Sequence, residues 1–350
     1  MSPSKSLRNV QTNRAVTRAG SLLGLLAVFA LPTLHAQTCT TQARMSDSVR
    51  SSLSSTATDL AQSVKTDNEA KIQADTIAEF ASASAFTSTA AIVKSTSPKL
   101  AADTLTVTEL FVLDARDRKV GDTSEADFTC ALSGTTSEAD FSISGLPPGL
   151  YGFAMVEATG DRPWLLSFLL RQDSGVWKLA GFYPHARTIA GHDGLWYWTT
   201  ARADVKANKP WLAWVYFGEA DLLLRPASFA TSTNLDRMRS EQTAAAPPEL
   251  INGVAPDNPL IIKGTDGKEY KFTSFVPEPS EDGKQVKLVL HMAADYIADP
   301  VAAKARNQAA TAALFDQHRD MREAFNSVWT FADSPGQLPL LTQQNIADIP

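Results

Sequence analysis

The sequence predicts an α+β fold made of a helix-backed antiparallel sheet, a helical hairpin, and a small C-terminal three-stranded sheet with a long helix. Three observations carry that expectation. Residues 47–80 space their apolar side chains three to four apart, which is helical. Residues 104–183 read as a run of strands, several of them joined by very short links. Beyond His185 the period turns helical again, and a second strand-rich stretch begins at Leu260. A chain of 350 residues can bury more than one core. The expected divisions are a signal peptide at 1–36, an α+β domain at 37–190, the hairpin at 191–243, a linker at 244–259 and a C-terminal domain at 260–350.

The leader comes first. Lys5, Arg8, Arg14 and Arg18 stand without an acid before the apolar run Ser21–Leu34, a basic segment followed by a hydrophobic one. That run is short of the ~20 apolar residues that cross a bilayer, so cleavage after Ala36 and a secreted or periplasmic location are expected, with no transmembrane segment afterwards. The competing reading is an uncleaved anchor, because Leu34 is larger than the usual small residue of such sites. Cleavage would remove four positive charges and no negative ones, taking the formal net charge from −6 to −10. Such an acidic chain has no broad cationic surface for phosphates, which excludes generic nucleic-acid binding. Cys39 and Cys130 would both enter an oxidising compartment, where an even count permits one disulfide. The alternative is that Cys130, in the apolar phase of its strand, is simply a small core residue.

From Asp47, residues Val49, Leu53, Leu60 and Val64 predict a helix rich in serine and threonine, which needs tertiary contacts to persist. Ile72, Ile77 and Phe80 predict a second helical piece, and residues 81–98 read as a loop or short strand. Thr104–Leu113 is a strand. Two near copies of one strand pattern follow, TSEADFTC from Thr123 and TSEADFSI from Thr136. A meander of Leu150–Glu157, Trp164–Arg171 and Val176–Tyr183 comes next, its short links requiring antiparallel pairing. Residues 164–170 are apolar in both phases, so that strand should be covered on both faces, with the helices of 47–80 as cover.

Residues 147–184, ending in Trp177-Lys178-Leu179-Ala180-Gly181-Phe182, resemble the closing strands of NTF2-like (cystatin-like) secreted bacterial domains over about a tenth of the chain. The resemblance implies a helix-backed curved sheet forming a cone with a mouth, and no fixed catalytic residues. The phrase FSISGLPPGLY is also similar to small secreted β-sandwich repeats of the carboxypeptidase-regulatory kind, which would make the domain all-β.

Asp193 can cap a helix carrying Leu195, Trp198, Ala201 and Val205, and Asn208-Lys209-Pro210 can start its partner. Residues 213–226 resemble half of a tetratricopeptide repeat, with no second copy. After the linker, Leu260–Lys263, Tyr270–Val276 and Val286–His291 predict three strands, and Asp299-Pro300 opens a long helix expected to run to about Trp329. Residues 334–350 carry no regular pattern.

No G-x-S-x-G, phosphate-loop, H-E-x-x-H or G-x-G-x-x-G spacing occurs, and there is no C-x-x-C. One of the five histidines, His35, lies in the leader, leaving His185, His192, His291 and His318. His185 and His192 flank the passage from sheet to hairpin beside Trp196 and Trp198, the one place where titratable and aromatic groups cluster. An imidazole there could act as a base, while the plainer reading is a capping Asp193 between two solvated histidines. His291 and Asp295 have i to i+4 spacing where a strand ends, which makes a poor metal pair, and no metal or cofactor is expected. Six of the seven tryptophans lie between Trp164 and Trp214. Aromatic clustering without a catalytic set points to an exported non-catalytic binding or assembly module for a peptide, protein or small apolar ligand, with His185, His192, Trp196 and Trp198 as candidate binding residues. The alternative is a hydrolase or isomerase with a cone-shaped pocket using His185 or His192 as base.

Overall fold

The computed structural model describes residues 38–100 and 104–350, so the expected signal peptide at 1–36 lies outside the described residues. In chain order the elements are β1 (Thr38–Thr41), α1 (Asp47–Lys65), α2 (Glu69–Ala74), α3 (Ala83–Thr96), β2 (Thr104–Asp114), β3 (Glu125–Ala131), β4 (Glu138–Ser144), β5 (Leu150–Thr159), β6 (Trp164–Asp173) and β7 (Val176–Ala186). They continue with β8 (Thr188–Ile189), β9 (His192–Asp193), α4 (Gly194–Lys206), α5 (Pro210–Leu224), β10 (Ala230–Ser232), α6 (Thr233–Ala245), β11 (Leu260–Lys263), β12 (Glu269–Pro279), β13 (Val286–Ala293), α7 (Pro300–Gln317), β14 (Ser327–Asp333) and β15 (Leu340–Asn345). The fold is α+β.

The first sheet has the order β1-β2-β5-β6-β7 and is antiparallel throughout. Helices α1 and α3 cover one face. Ser46 caps α1 by accepting from the Val49 N–H, and Leu53, Ala57, Leu60, Ala61 and Val64 form its buried stripe. Its many hydroxyls are accommodated by donating back to carbonyls four residues earlier, as Thr58 does to Ser54 and Ser63 to Asp59. Residues 81–98, expected as a loop or strand, instead form α3, capped by Ser82 and anchored by Phe86 and Val93. Trp177 of the closing strand is buried against α1, its indole N–H donating to the Ser52 hydroxyl at 3.2 Å.

Helices cover only one side of β6. A three-stranded sheet, β10-β4-β3, fills the other. The two near-copy strands pair with each other, Phe128 opposite Phe141, and the Phe141 ring meets those of Phe111 and Phe153 edge to face at 5.2 and 5.1 Å. Cys39 on β1 and Cys130 on β3 are joined by a disulfide with Cα atoms 5.2 Å apart. Cys130 is thus both bonded and buried.

The third region builds on α4 and α5, an antiparallel pair with α6 added beside α5. Asp193 caps α4, accepting from the Trp196 N–H at 2.8 Å, and Pro210 opens α5. These helices share a core with the second sheet, whose order is β11-β12-β13-β14-β15. The three expected strands are β11 to β13, and two more extend the sheet. The long helix ends at Gln317 rather than continuing to Trp329, because His318 leaves helical geometry at φ −127° and ψ 64°. Residues 327–333 then alternate buried and half-buried as β14 and run parallel to β13, making β13-α7-β14 a crossover unit. The patternless tail holds β15, antiparallel to β14. Leu250, within the expected linker, is buried in this core. No helix among the described residues is long and apolar enough to cross a membrane.

Candidate functional site

The four candidate residues do not converge. Trp196 and Trp198 sit two positions apart on α4, about 200° around the helix, and therefore face different neighbours. Trp196 stacks on His192 with ring centroids 3.6 Å apart and meets Tyr197 and Tyr216 edge on. The two-residue turn Ala190-Gly191, both at positive φ, brings His192 back to the start of α4 for that stack. Trp198 points toward α6. Its indole N–H donates to Glu241 Oε2 at 2.8 Å, the Arg202 guanidinium lies 4.3 Å over its ring, and Arg202 also donates to both Glu241 oxygens. Hydrogen bonds from Arg202 above all hold the Glu241 carboxyl down to about 2.

His185 lies elsewhere, at the end of β7, in the wall of a cleft of about 490 Å³. Four segments meet there. Strand β6 supplies Trp164, and β7 supplies Phe182 and His185; the C-terminal part of α3 and the turn after it supply Ile92 and Lys99, and the end of α5 supplies Leu222. Antiparallel pairing puts Trp164 opposite Ala186 and Leu165 opposite His185, so the indole and the imidazole come from adjacent rows. Phe182 stacks on Phe168 at 5.1 Å, which fixes an aromatic floor. Ile92 and Leu222 are exposed at the rim.

The polar groups of the cleft are unusual. Trp164 Nε1 and His185 Nε2 are shut off from water without a hydrogen-bond partner. Burial chiefly, with nearby Arg187 and Arg225 adding to it, lowers the His185 pKa to about 4, so the ring is neutral at pH 7. The Lys99 ammonium stands 4.8 Å over the Trp164 ring and forms no ion pair among the described residues. Arg225 is held by Asp221 at 2.9 Å. No carboxylate lines the cleft among the described residues, so His185 has no acid to orient it and no activated hydroxyl beside it. A base of pKa about 4 is also poorly matched to proton abstraction at neutral pH.

Among the described residues no group of three or more His, Cys, Asp or Glu side chains could hold a metal ion. His291 pairs with Asp333 on the neighbouring strand, Nδ1 to Oδ2 at 2.9 Å, and not with Asp295. His318 is stacked on Trp211 at 3.7 Å. Trp164, Lys99 and Leu222 were not among the residues the sequence singled out as a site; no local spacing relates positions drawn from such distant segments. Comparison with protein-family models, curated proteins and solved structures finds no match to this chain.

Proposed function

We propose that the protein is an exported, non-catalytic binding module of the cell envelope whose ligand is a small apolar, aromatic molecule held in the cleft over Trp164. The observation that carries this reading is the cleft itself: an aromatic floor, an apolar rim and an ammonium that, among the described residues, forms no ion pair, with no nucleophile and base in hydrogen-bond contact among those residues. Export is supported by the Cys39–Cys130 bond, which persists in oxidising compartments, and by the leader of residues 1–36. The resemblance of residues 147–184 to NTF2-like closing strands belongs to the same reading. With the far face of the first sheet filled by β3, β4 and β10, the cleft beside edge strand β7 takes the place of a cone mouth. The hydrolase or isomerase alternative has less support, since His185 and His192 share neither pocket nor contact.

The test is a fluorescence titration of the purified, oxidised protein with benzoate and with neutral benzyl alcohol, repeated on Trp164→Phe, Leu222→Glu and Lys99→Ala. Saturable binding of both probes, weakened by Leu222→Glu and weakened for benzoate alone by Lys99→Ala, supports the reading. Binding that none of the three variants changes, or no binding at millimolar probe, overturns it.

A further inference from the structure

A second recess lies far along the chain from the cleft. It opens at the C-terminal ends of the parallel strands β13 and β14, where the chain leaves β13 to enter α7, and has a volume of about 1150 Å³. Crevices at the carboxyl ends of parallel strands are where crossover units receive ligands, because the connecting chain diverges there and leaves room between sheet and helix. Here the room is enlarged by Ala302, Ala305 and Ala309, which present only methyl groups from α7. Buried Tyr270 and Met292 form an apolar floor.

The charges around this floor are of both signs and incompletely matched. Arg306 is half-buried and has no carboxylate within ion-pair distance among the described residues; its guanidinium donates to the Asp295 carbonyl and the Asn307 side-chain oxygen. The Asp295 carboxylate acts on this guanidinium only through space, without an ion-pair contact, so the planar fork keeps donors that suit a carboxylate. Lys271, at the edge, is likewise without an ion pair among the described residues. The acidic groups are Glu269, Asp295, whose carboxylate makes no ion pair among the described residues, and Asp333, whose Oδ2 meets His291 Nδ1.

We infer that this groove is a binding site for a zwitterionic amino compound, an amino acid or short peptide, with its carboxylate on Arg306 and its ammonium between Asp295 and Asp333. An apolar floor between the two charged sides would take the side chain. The inference goes beyond the cleft reading and involves none of the cleft's residues.

The experiment is calorimetric titration of the purified, oxidised protein with free alanine and with trialanine, each against its N-acetyl and C-amide forms. Binding of either free compound that falls at least tenfold when either terminus is capped supports the site, and the stronger binder separates amino acid from peptide. Arg306→Gln should weaken binding at least tenfold and Arg306→Lys less, with far-ultraviolet circular dichroism checking that both variants are folded. The capped ligands on the unaltered protein keep the test decisive if Arg306→Gln does not fold. Saturating benzoate should leave the isotherm unchanged. Absence of binding of both free compounds at 10 mM, or equal binding of free and capped forms, overturns the inference.

Discussion

The Trp198 indole N–H donates to Glu241 Oε2 at 2.8 Å and so fastens α4 to α6. Glu241 is a shared acceptor, since Arg202 and Arg237 donate to it as well. Charge-assisted hydrogen bonds of this kind are worth roughly twice neutral ones. Glu241→Gln is therefore expected to lower unfolding free energy by about 1–2 kcal/mol at pH 7, read by urea denaturation. The folded carboxyl sits near 2 against an ordinary 4.5, so its contribution is full above pH 4.5 and fades as the pH falls toward 2. An equal deficit of the variant at pH 7 and at pH 2 would contradict this account.

The disulfide ties β1, at the edge of the five-stranded sheet, to β3 in the smaller sheet packed on it. Its two cysteines are 91 residues apart, and closing a loop of that length removes about 4–5 kcal/mol of chain entropy from the unfolded state. The double variant Cys39→Ala, Cys130→Ala should lose about 3–5 kcal/mol by chemical denaturation, and adding a reductant should leave its midpoint unmoved while lowering that of the unaltered protein. Alanine is the apt replacement, because Cys130 lies in an aromatic core where a serine hydroxyl would add its own burial cost.

What local pattern reveals and what it hides differs from element to element. Helix α1 is readable because Leu53, Leu60 and Val64 repeat at helical spacing, and the meander β5 to β7 because its turns are short and glycine-marked. Helix α3 hides in an alanine, serine and threonine stretch where only Phe86 and Val93 anchor it to the core. The stretch before β14 misleads for the opposite reason: Met321, Phe325 and Val328 happen to keep helical spacing, while the alternation of Val328, Thr330 and Ala332 belongs to a strand. Its partner β13 lies some forty residues back, and α7 seals against β14 and β15 with a polar seam, Thr311 to Thr330 and Asn307 to Thr342, that no hydrophobic period records. The cleft is less legible still. Lys99, Trp164, His185 and Leu222 come together through two helices and two strands, and only His185 stood out beforehand.

Buried Glu219 and half-buried His185 oppose each other. Glu219 is 3% exposed with Oε2 unpartnered, and burial pushes its carboxyl up to about 7. Between pH 4.5 and 7 the unfolded chain ionises this group while the folded chain keeps its proton, so stability falls as pH rises, by about 3 kcal/mol in all. His185 works the other way. Its folded pKa of about 4 lies below the ordinary 6.5, so the unfolded chain takes up a proton first and stability falls as pH drops from 6.5 toward 4. The two slopes overlap and largely cancel. Glu219→Gln should therefore stabilise the protein by about 1–3 kcal/mol at pH 8, do little at pH 4, and uncover a loss of stability on acidification that the unaltered protein masks. Melting temperatures across pH 4–8 provide the check; parallel curves for the two proteins would refute the assignment.

Gly152 sets how closely α1 lies on the first sheet. A Cβ at this position would stand 2.5 Å from Leu53 Cδ1, and Leu53 is fully buried. Glycine is needed here for space, since its φ is not positive. Gly152→Ala should thus cost about 1–3 kcal/mol through overpacking, and Leu53→Ala about 2–5 kcal/mol through the cavity it leaves. The informative variant is the double one. If the added methyl occupies space that Leu53 vacates, Gly152→Ala in the Leu53→Ala background should cost less than it does alone, giving a coupling of at least 0.5 kcal/mol. Strict additivity in urea denaturation would mean that helix and sheet simply move apart, and that the Leu53–Gly152 approach does not set the spacing of α1 over β5.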